Sequence, residues 1–220
     1  MMTLYNPTVE RVLSRLYAEA RENDRQMELE RKAAAEASGN GSVDEQTLSS
    51  IRNRTFMAIA PEVGRLFYLL VRTYKPSRIV EFGTSFGLSA IHLAAALRDN
   101  ESGHLITTEQ SEDKASRAAQ HFEQAGLSDM IELRQGDAFK TLQGVDKIDM
   151  LFLDGWKPLY LPLLQQLESV LSPRCLVVAD DIISHSAMLA PYLDHVRDKA
   201  NGYISCEIPL DDGVELSFRG

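Results

Sequence analysis

The stretch Arg78-Ile79-Val80-Glu81-Phe82-Gly83-Thr84-Ser85-Phe86-Gly87-Leu88-Ser89 decides the reading of this chain. Arg78 to Phe82 is a short β-branched run of strand length. Gly83 and Gly87 flank a turn, and Leu88 to Leu97 is a run of small and apolar residues that reads as a helix. Strand, glycine turn and helix in that order are the opening unit of an α/β sheet.

The same alternation continues toward the C-terminus. Leu105 to Thr108 reads as a strand, Glu112 to Ala125 as a polar helix, and Met130 to Leu133 as a third strand. Ile148 to Leu153 is a fourth strand, apolar except for Asp149. Leu163, Leu164, Leu167, Val170 and Leu171 form a helical stripe. Cys175 to Ala179 is a fifth, apolar strand, followed by a helix from Ala187 to Ala200. Strands that are apolar throughout belong in the middle of a parallel sheet covered on both faces. Ile204 to Leu210 and Val214 to Phe218 are separated only by Asp211-Asp212-Gly213, a gap too short for a crossover. They form an antiparallel hairpin. The expectation is a doubly wound, mostly parallel, seven-stranded Rossmann-like α/β sheet ending in that hairpin.

Toward the N-terminus, Asn6 caps a helix with Pro7 at its first position and Val9, Val12, Leu13, Leu16 and Tyr17 on one face. Arg21 to Lys32 is mostly charged, and Ser38 to Ser42 is a flexible break. A second helix starts at Pro61, carries Val63, Leu66, Phe67, Leu70 and Val71 on one face, and ends before Lys75-Pro76. Residues 1–56 are therefore read as a helical extension, a lid or a dimer contact, and residues 57–220 as the main domain.

Composition narrows the partners. The 220 residues carry 23 Lys and Arg against 32 Asp and Glu, a net charge of −9. Such a chain repels phosphate backbones and anionic lipid, and no local basic patch offsets this, so neither nucleic acid nor membrane is expected as a partner. No basic segment followed by an apolar stretch opens the sequence, and no apolar run is long enough to span a bilayer. Two cysteines, Cys175 and Cys206, are too few for a disulfide scaffold, and both lie in strand-like runs where a free thiol acts as a small hydrophobe. A reduced, cytoplasmic protein is expected.

In an open α/β sheet, ligands bind beyond the carboxyl ends of the strands. Acidic residues stand at or just after all five such ends: Glu81, Glu109, Asp137, Asp154, and the pair Asp180-Asp181. A nicotinamide dinucleotide site would show G-x-G-x-x-G at the first turn. Here the spacing is G-x-x-x-G, and Glu81 repels phosphate while suiting an ammonium group. Glu109 can accept hydrogen bonds from two ribose hydroxyls, and Asp137 from an adenine amino group. A ligand with an amine, a carboxylate, a ribose and an adenine but no phosphate is S-adenosylmethionine. Each acid alone is explained by a helix cap or a solvated loop; the joint pattern carries the argument.

Asp154, Asp180 and Asp181 form a second constellation, because the fourth and fifth strands are expected neighbours. Like charges that close raise one another's pKa unless a cation compensates. Three hard oxygen donors suit a divalent cation, Mg²⁺ first. Lys157, three residues past Asp154, is either a surface lysine or a general base whose pKa is lowered by burial.

These residues resemble a family. Glu81 to Ser89 resembles the first motif of the catechol and caffeoyl-CoA O-methyltransferase-like enzymes, which are S-adenosylmethionine-dependent. Ile106-Thr107-Thr108-Glu109 resembles their ribose motif. Asp149 to Lys157 resembles the metal-and-base motif, Val178-Ala179-Asp180-Asp181 the second metal motif, and Met57 to Gly64 the segment covering the cofactor. The resemblance implies that Glu81 and Ser89 hold the methionine end, with Gly83 and Ser85 along the turn. Glu109 takes the ribose, Asp137, Ala138 and Phe139 surround the adenine, and Met57 and Ile59 pack nearby. Asp154, Asp180 and Asp181 hold the metal, with Asp154 also against the cofactor, and Lys157 is the base. It implies a reversed strand beside the fifth, a homodimer, and a small acceptor with hydroxyl groups, an aromatic vicinal diol by default. Asp181 departs from the pattern, where Asn is usual.

The rival readings are a nicotinamide-dependent oxidoreductase, a non-catalytic adenosyl-ligand binding protein, and a metal-independent or nitrogen-directed methyltransferase.

Overall fold

The computed structural model describes residues 2–39 and 41–220. Seven strands form one sheet: β1 (Arg78–Phe82), β2 (His104–Glu109), β3 (Ile131–Gln135), β4 (Ile148–Leu153), β5 (Leu171–Asp180), β6 (Tyr203–Ile208) and β7 (Val214–Arg219). Their order is β3-β2-β1-β4-β5-β7-β6. The first five are parallel, and β7 runs antiparallel between β5 and β6. The expected sheet, its terminal hairpin and the reversed strand beside the fifth are all present. The order reverses between β1 and β4, and a crevice at that switch point is where such sheets bind ligands.

Among the described residues, eight α-helices accompany the sheet: α1 (Pro7–Ala37), α2 (Glu45–Arg54), α3 (Pro61–Tyr74), α4 (Leu88–Asn100), α5 (Glu112–Ala125), α6 (Ala138–Thr141), α7 (Tyr160–Leu167) and α8 (Ser186–Arg197). In α4, every residue from Leu88 to Leu97 is buried. It lies under α3 and α1, which is why it carries no polar face. One core gathers Val9, Val12, Leu13, Leu16 and Ala20 of α1 with Phe67 of α3, Ile91 of α4 and Ile79 of β1. The second core, on the other face, packs Leu163 and Leu164 of α7 and Leu189 and Val196 of α8 against β4 and β5.

Asn6 caps α1 through the amide of Thr8, and Pro7 is its first residue. The helix does not stop where the apolar stripe does. Its charged half continues to Ala37 through i,i+3 and i,i+4 ion pairs, Arg25–Glu22, Arg31–Glu28 and Lys32–Glu28. The connection to α2 spans 38–44, and Asn40, within the stretch read as a break, lies outside the described residues. Helix α2, whose N-cap is Asp44, was not expected from its sequence.

Two local readings are corrected. Val170 and Leu171 continue the leucine spacing of α7, but the helix ends at Leu167 and Leu171 opens β5, paired with Ile148. Cys175 is buried, whereas Cys206 is exposed. Strand β6 is a sheet edge, and Cys206 shares its outward face with Ile204, which is 77% exposed.

Candidate active site

The first turn is built around two close approaches. Gly83 has φ +100°, and a Cβ there would lie 2.5 Å from the Asp154 carbonyl oxygen. Gly87 has φ +89°, and its Cβ would meet the Phe122 ring of α5 at 2.5 Å. Both glycines thus let loops and helices pack tightly, besides allowing positive φ. The amides of Gly83 and Thr84 donate to the Thr108 carbonyl, which locks the ends of β1 and β2 together.

Glu81 is fully buried at the end of β1. Its Oε2 accepts from the Thr107 hydroxyl. Its Oε1 has no hydrogen-bond partner. Burial pushes this carboxyl up to about 7, against the hydroxyls of Ser89 and Thr107, which favour the charged form. A buried acceptor left unsatisfied costs stability, and a positively charged donor group is the partner that relieves it.

Glu109 terminates β2 with both oxygens engaged: Oε2 accepts from the Ser85 amide at 2.8 Å and Oε1 from the Ser111 amide at 2.9 Å. Each oxygen keeps a second lone pair. Asp137 caps α6 by accepting from the Phe139 amide at 3.0 Å, and it is exposed beside the buried Ala138 and half-buried Phe139.

A narrow cleft enclosing ≈ 10 Å³ lies over the turn, lined by Met57, Ile59, Ser85, Ser89 and Asp154 among others. Five of the expected site residues thus meet in one place, while Glu81, Gly83, Glu109, Asp137 to Phe139, Lys157, Asp180 and Asp181 lie outside this lining, at or beside the strand ends. The cleft is roofed by the chain from Phe56 to Ile59. Phe56 stacks on Phe86 with ring centroids 4.0 Å apart, and Met57 has φ +45° with its side chain exposed.

Beyond the switch point, Asp154 follows β4 and Asp180 and Asp181 end β5. Lys157 Nζ lies 2.8 Å from Asp181 Oδ2 and 3.5 Å from Asp154 Oδ1, and donates to the Tyr160 hydroxyl at 2.9 Å. Burial raises the Asp154 carboxyl well above the usual range, against the pull of Lys157. Burial, followed by the charge of Asp181, pushes Asp180 up to about 7. For Lys157 the expectation of a lowered pKa is corrected. Burial does press it down, but the charges of Asp154 and Asp181 outweigh burial and raise it.

The donor set tests the fit of a divalent cation. Three carboxylates crowd two adjacent strand ends, with two of them driven toward protonation, which is chemistry that suits a hard cation. As arranged, Lys157 supplies the positive charge they share. No group of three or more His, Cys, Asp or Glu side chains among the described residues is assembled tightly enough to hold a metal ion.

The sequence reading missed four contributors. Tyr160 is buried and fixes Lys157. Arg52 of α2 lies 4.8 Å above the exposed Trp156 ring, beside Lys157 in sequence. Lys114 and Asp24 hold the cleft's covering segment by its backbone. Lys114 sits among charged residues at a helix start, and nothing local distinguishes it from a solvated lysine.

The sheet order, the glycine turn and the acidic strand ends together define a Rossmann-like methyltransferase. A family model for a methyltransferase domain matches residues 80–182. The pig catechol O-methyltransferase is 33% identical over 149 residues, 64% of this chain and 78% of that protein. The catechol O-methyltransferase of Niastella koreensis is 33% identical over 138 residues, covering 60% of this chain and 62% of its own length. The O-methyltransferase TomG of Streptomyces achromogenes, solved in complex with SAM, superposes with a TM-score of 0.67 at 25% identity, over 74% of this chain and 82% of that one. The chain belongs to the S-adenosylmethionine-dependent O-methyltransferases of the catechol and caffeoyl-CoA type. It spans less than two thirds of some of these relatives, 62% of the Niastella protein and 65% of a zebrafish catechol O-methyltransferase. Among the described residues, no helix is long and apolar enough to cross a membrane.

Proposed function

We propose that this protein transfers the methyl group of S-adenosylmethionine to a hydroxyl oxygen of a small acceptor, by default an aromatic vicinal diol. The observation that carries this reading is Glu81 Oε1, a fully buried carboxylate oxygen without a partner, near the end of β1 just before the glycine turn. A phosphate-bearing dinucleotide would be repelled there. An amino-acid ammonium would complete the site.

In this reading Glu81 and Ser89 hold the methionine end, with Gly83 and Ser85 along the turn. Glu109 uses its remaining lone pairs on the ribose, and Asp137, Ala138 and Phe139 border the adenine. Met57 and Ile59 exclude water above the sulfonium, whose methyl carbon is the electrophile the cofactor supplies. Asp154 lines the same cleft, and in this reading it borders both the cofactor and the acceptor.

The acceptor hydroxyl must lose a proton, and a phenol at neutral pH is largely un-ionised. Lys157, fixed by Tyr160 and Asp181, is the group placed to take it. It is held as an ammonium in this arrangement and must first release its own proton. Asp154, Asp180 and Asp181, not drawn together in this arrangement, would have to close on a divalent cation to hold it; when bound it would acidify the acceptor hydroxyls and relieve the carboxylates that keep Lys157 charged. A second, metal-independent reading is favoured by one observation: Lys157 itself neutralises Asp154 and Asp181. Most of the rate gain in either case comes from holding the acceptor oxygen in line with the methyl–sulfur bond.

Calorimetric titration tests the cofactor assignment. S-adenosylhomocysteine should bind and NADH should not; tight NADH binding with no S-adenosylhomocysteine response would replace the reading with an oxidoreductase.

A further inference from the structure

Four of the six backbone polar groups from Thr55 to Met57 are held by side chains from elsewhere, and the Thr55 amide closes back on the Ile51 and Arg52 carbonyls of α2. The Thr55 carbonyl accepts from Lys114 Nζ of α5 at 2.9 Å. The Phe56 amide donates to Asp24 Oδ1 of α1 at 3.0 Å and to Asn23 Oδ1 at 3.1 Å. The Phe56 carbonyl accepts from Ser85 Oγ at 2.8 Å, and the Met57 amide donates to Asp24 Oδ1 at 3.4 Å. Extended segments usually satisfy their backbone in a sheet or in water. Here three elements converge on three residues.

Lys114 is the centre of this arrangement. It is buried, 4% exposed, and its Nζ also donates to Ser85 Oγ at 3.4 Å. Ser85 in turn donates its amide to Glu109. One buried ammonium thus links the covering segment, the glycine turn and the carboxylate assigned to the ribose. Burial lowers its pKa, opposed by the charges of Glu109, Asp24 and Asp154. A buried cation persists only where such partners surround it.

The cleft beneath the segment encloses only ≈ 10 Å³, about the space of one water molecule. Small-molecule sites occupy roughly 300–1,000 Å³. The methionine end of the cofactor, the part assigned to this cleft, therefore enters only when residues 56–59 move. Releasing the segment breaks the bonds to Lys114, Asp24 and Ser85 together.

We propose that Lys114 and Asp24 form a latch that holds residues 55–57 closed over the cofactor cleft, with Lys114 a positioning residue that ties closure to Glu109. This rests on the cofactor reading above. It gives the N-terminal extension a function: Asp24 carries the grip of α1 to the cleft.

Two variants open the latch from opposite sides, Lys114→Met and Asp24→Ala, and neither removes a residue assigned to the cofactor. In both, hydrogen exchange of the Phe56 and Met57 amides should rise about tenfold, and affinity for S-adenosylhomocysteine should fall about tenfold, each matching the loss of one charge-assisted hydrogen bond. The KM for S-adenosylmethionine should rise while that for the acceptor stays unchanged, a split that a general loss of stability does not produce. Wild-type exchange and affinity in both variants would overturn the latch. An effect confined to Lys114→Met would overturn it too, reducing Lys114 to a counter-charge for Glu109. If Lys114→Met fails to fold, Asp24→Ala alone decides. Failure of the wild-type protein to bind S-adenosylhomocysteine would instead sink the cofactor reading, and the exchange comparison would still judge the latch.

Discussion

Lys157 Nζ stands 2.8 Å from Asp181 Oδ2 and 3.5 Å from Asp154 Oδ1, so a single ammonium joins carboxylates from two adjacent strand ends. A lysine in that position is poised by its neighbours and not by burial alone. Lys157→Met should lower kcat by about 10²–10⁴-fold, the range for losing a general base. Affinity for S-adenosylhomocysteine should change less than about twofold, since Lys157 does not line the cleft assigned to the cofactor. An unchanged kcat would remove Lys157 from the chemistry.

Asp180 is buried and driven toward protonation by burial and by Asp181. Asp180→Asn keeps the shape and removes one charge. In this variant any stimulation of methyl transfer by Mg²⁺ should vanish while S-adenosylhomocysteine still binds. If the wild-type enzyme keeps full activity in excess chelator, the metal-independent reading takes its place.

Glu81 sets a pH dependence whose sign follows from its raised pKa of about 7. In the free protein the carboxyl holds its proton below that pH. The ammonium of the cofactor needs the carboxylate, so affinity is full above pH 7 and falls as pH drops through it, by up to about tenfold per pH unit. Calorimetry of S-adenosylhomocysteine binding between pH 6 and pH 8 reads this directly. Glu81→Gln should bind weakly at every pH, and a flat wild-type profile would disconnect Glu81 from the ligand.

The same group affects folding with the opposite sense. A carboxyl whose folded pKa lies above its unfolded value contributes fully at low pH and loses that contribution as pH rises through the folded value. Glu81→Gln should therefore stabilise the free protein at pH 8, by at most about 3 kcal/mol, and leave it unchanged at pH 4. Chemical denaturation at the two pH values tests this.

Gly83 and Gly126 separate strain from space. Both have positive φ, but a Cβ at Gly126 meets nothing within 4 Å, while one at Gly83 meets the Asp154 carbonyl at 2.5 Å. Gly126→Ala should cost about 1–2 kcal/mol from backbone conformation alone. Gly83→Ala should cost more and should also weaken S-adenosylhomocysteine binding, because the backbone carrying Asp154 must shift. Equal costs in urea unfolding would contradict this account.

The strand ends were legible because apolar runs broken by an acid are local signals; Glu81, Asp154 and Asp180 each sit where such a run stops. The reversed hairpin followed from the short gap between Leu210 and Val214. Leu171 misled because i,i+4 spacing from Leu167 fits a helix, while its pairing with Ile148 is non-local. The charged half of α1 has no continuous apolar stripe, its helix being supported by ion pairs such as Arg31–Glu28. Lys114 and Asp24 were invisible for the same reason: 90 residues of chain separate two side chains that meet only through the backbone of Phe56 and Thr55. Lys157 was found, but its charge state depends on Asp154, local in sequence, and on Asp181, which only the tertiary fold brings to it.

The most direct test is to incubate the purified protein with methyl-labelled S-adenosylmethionine and a panel of vicinal-diol phenols, with and without Mg²⁺, and to locate the label by mass spectrometry. The account predicts label on a phenolic oxygen together with S-adenosylhomocysteine. Tight S-adenosylhomocysteine binding with no oxygen-linked label on any acceptor, or label on nitrogen only, would contradict it.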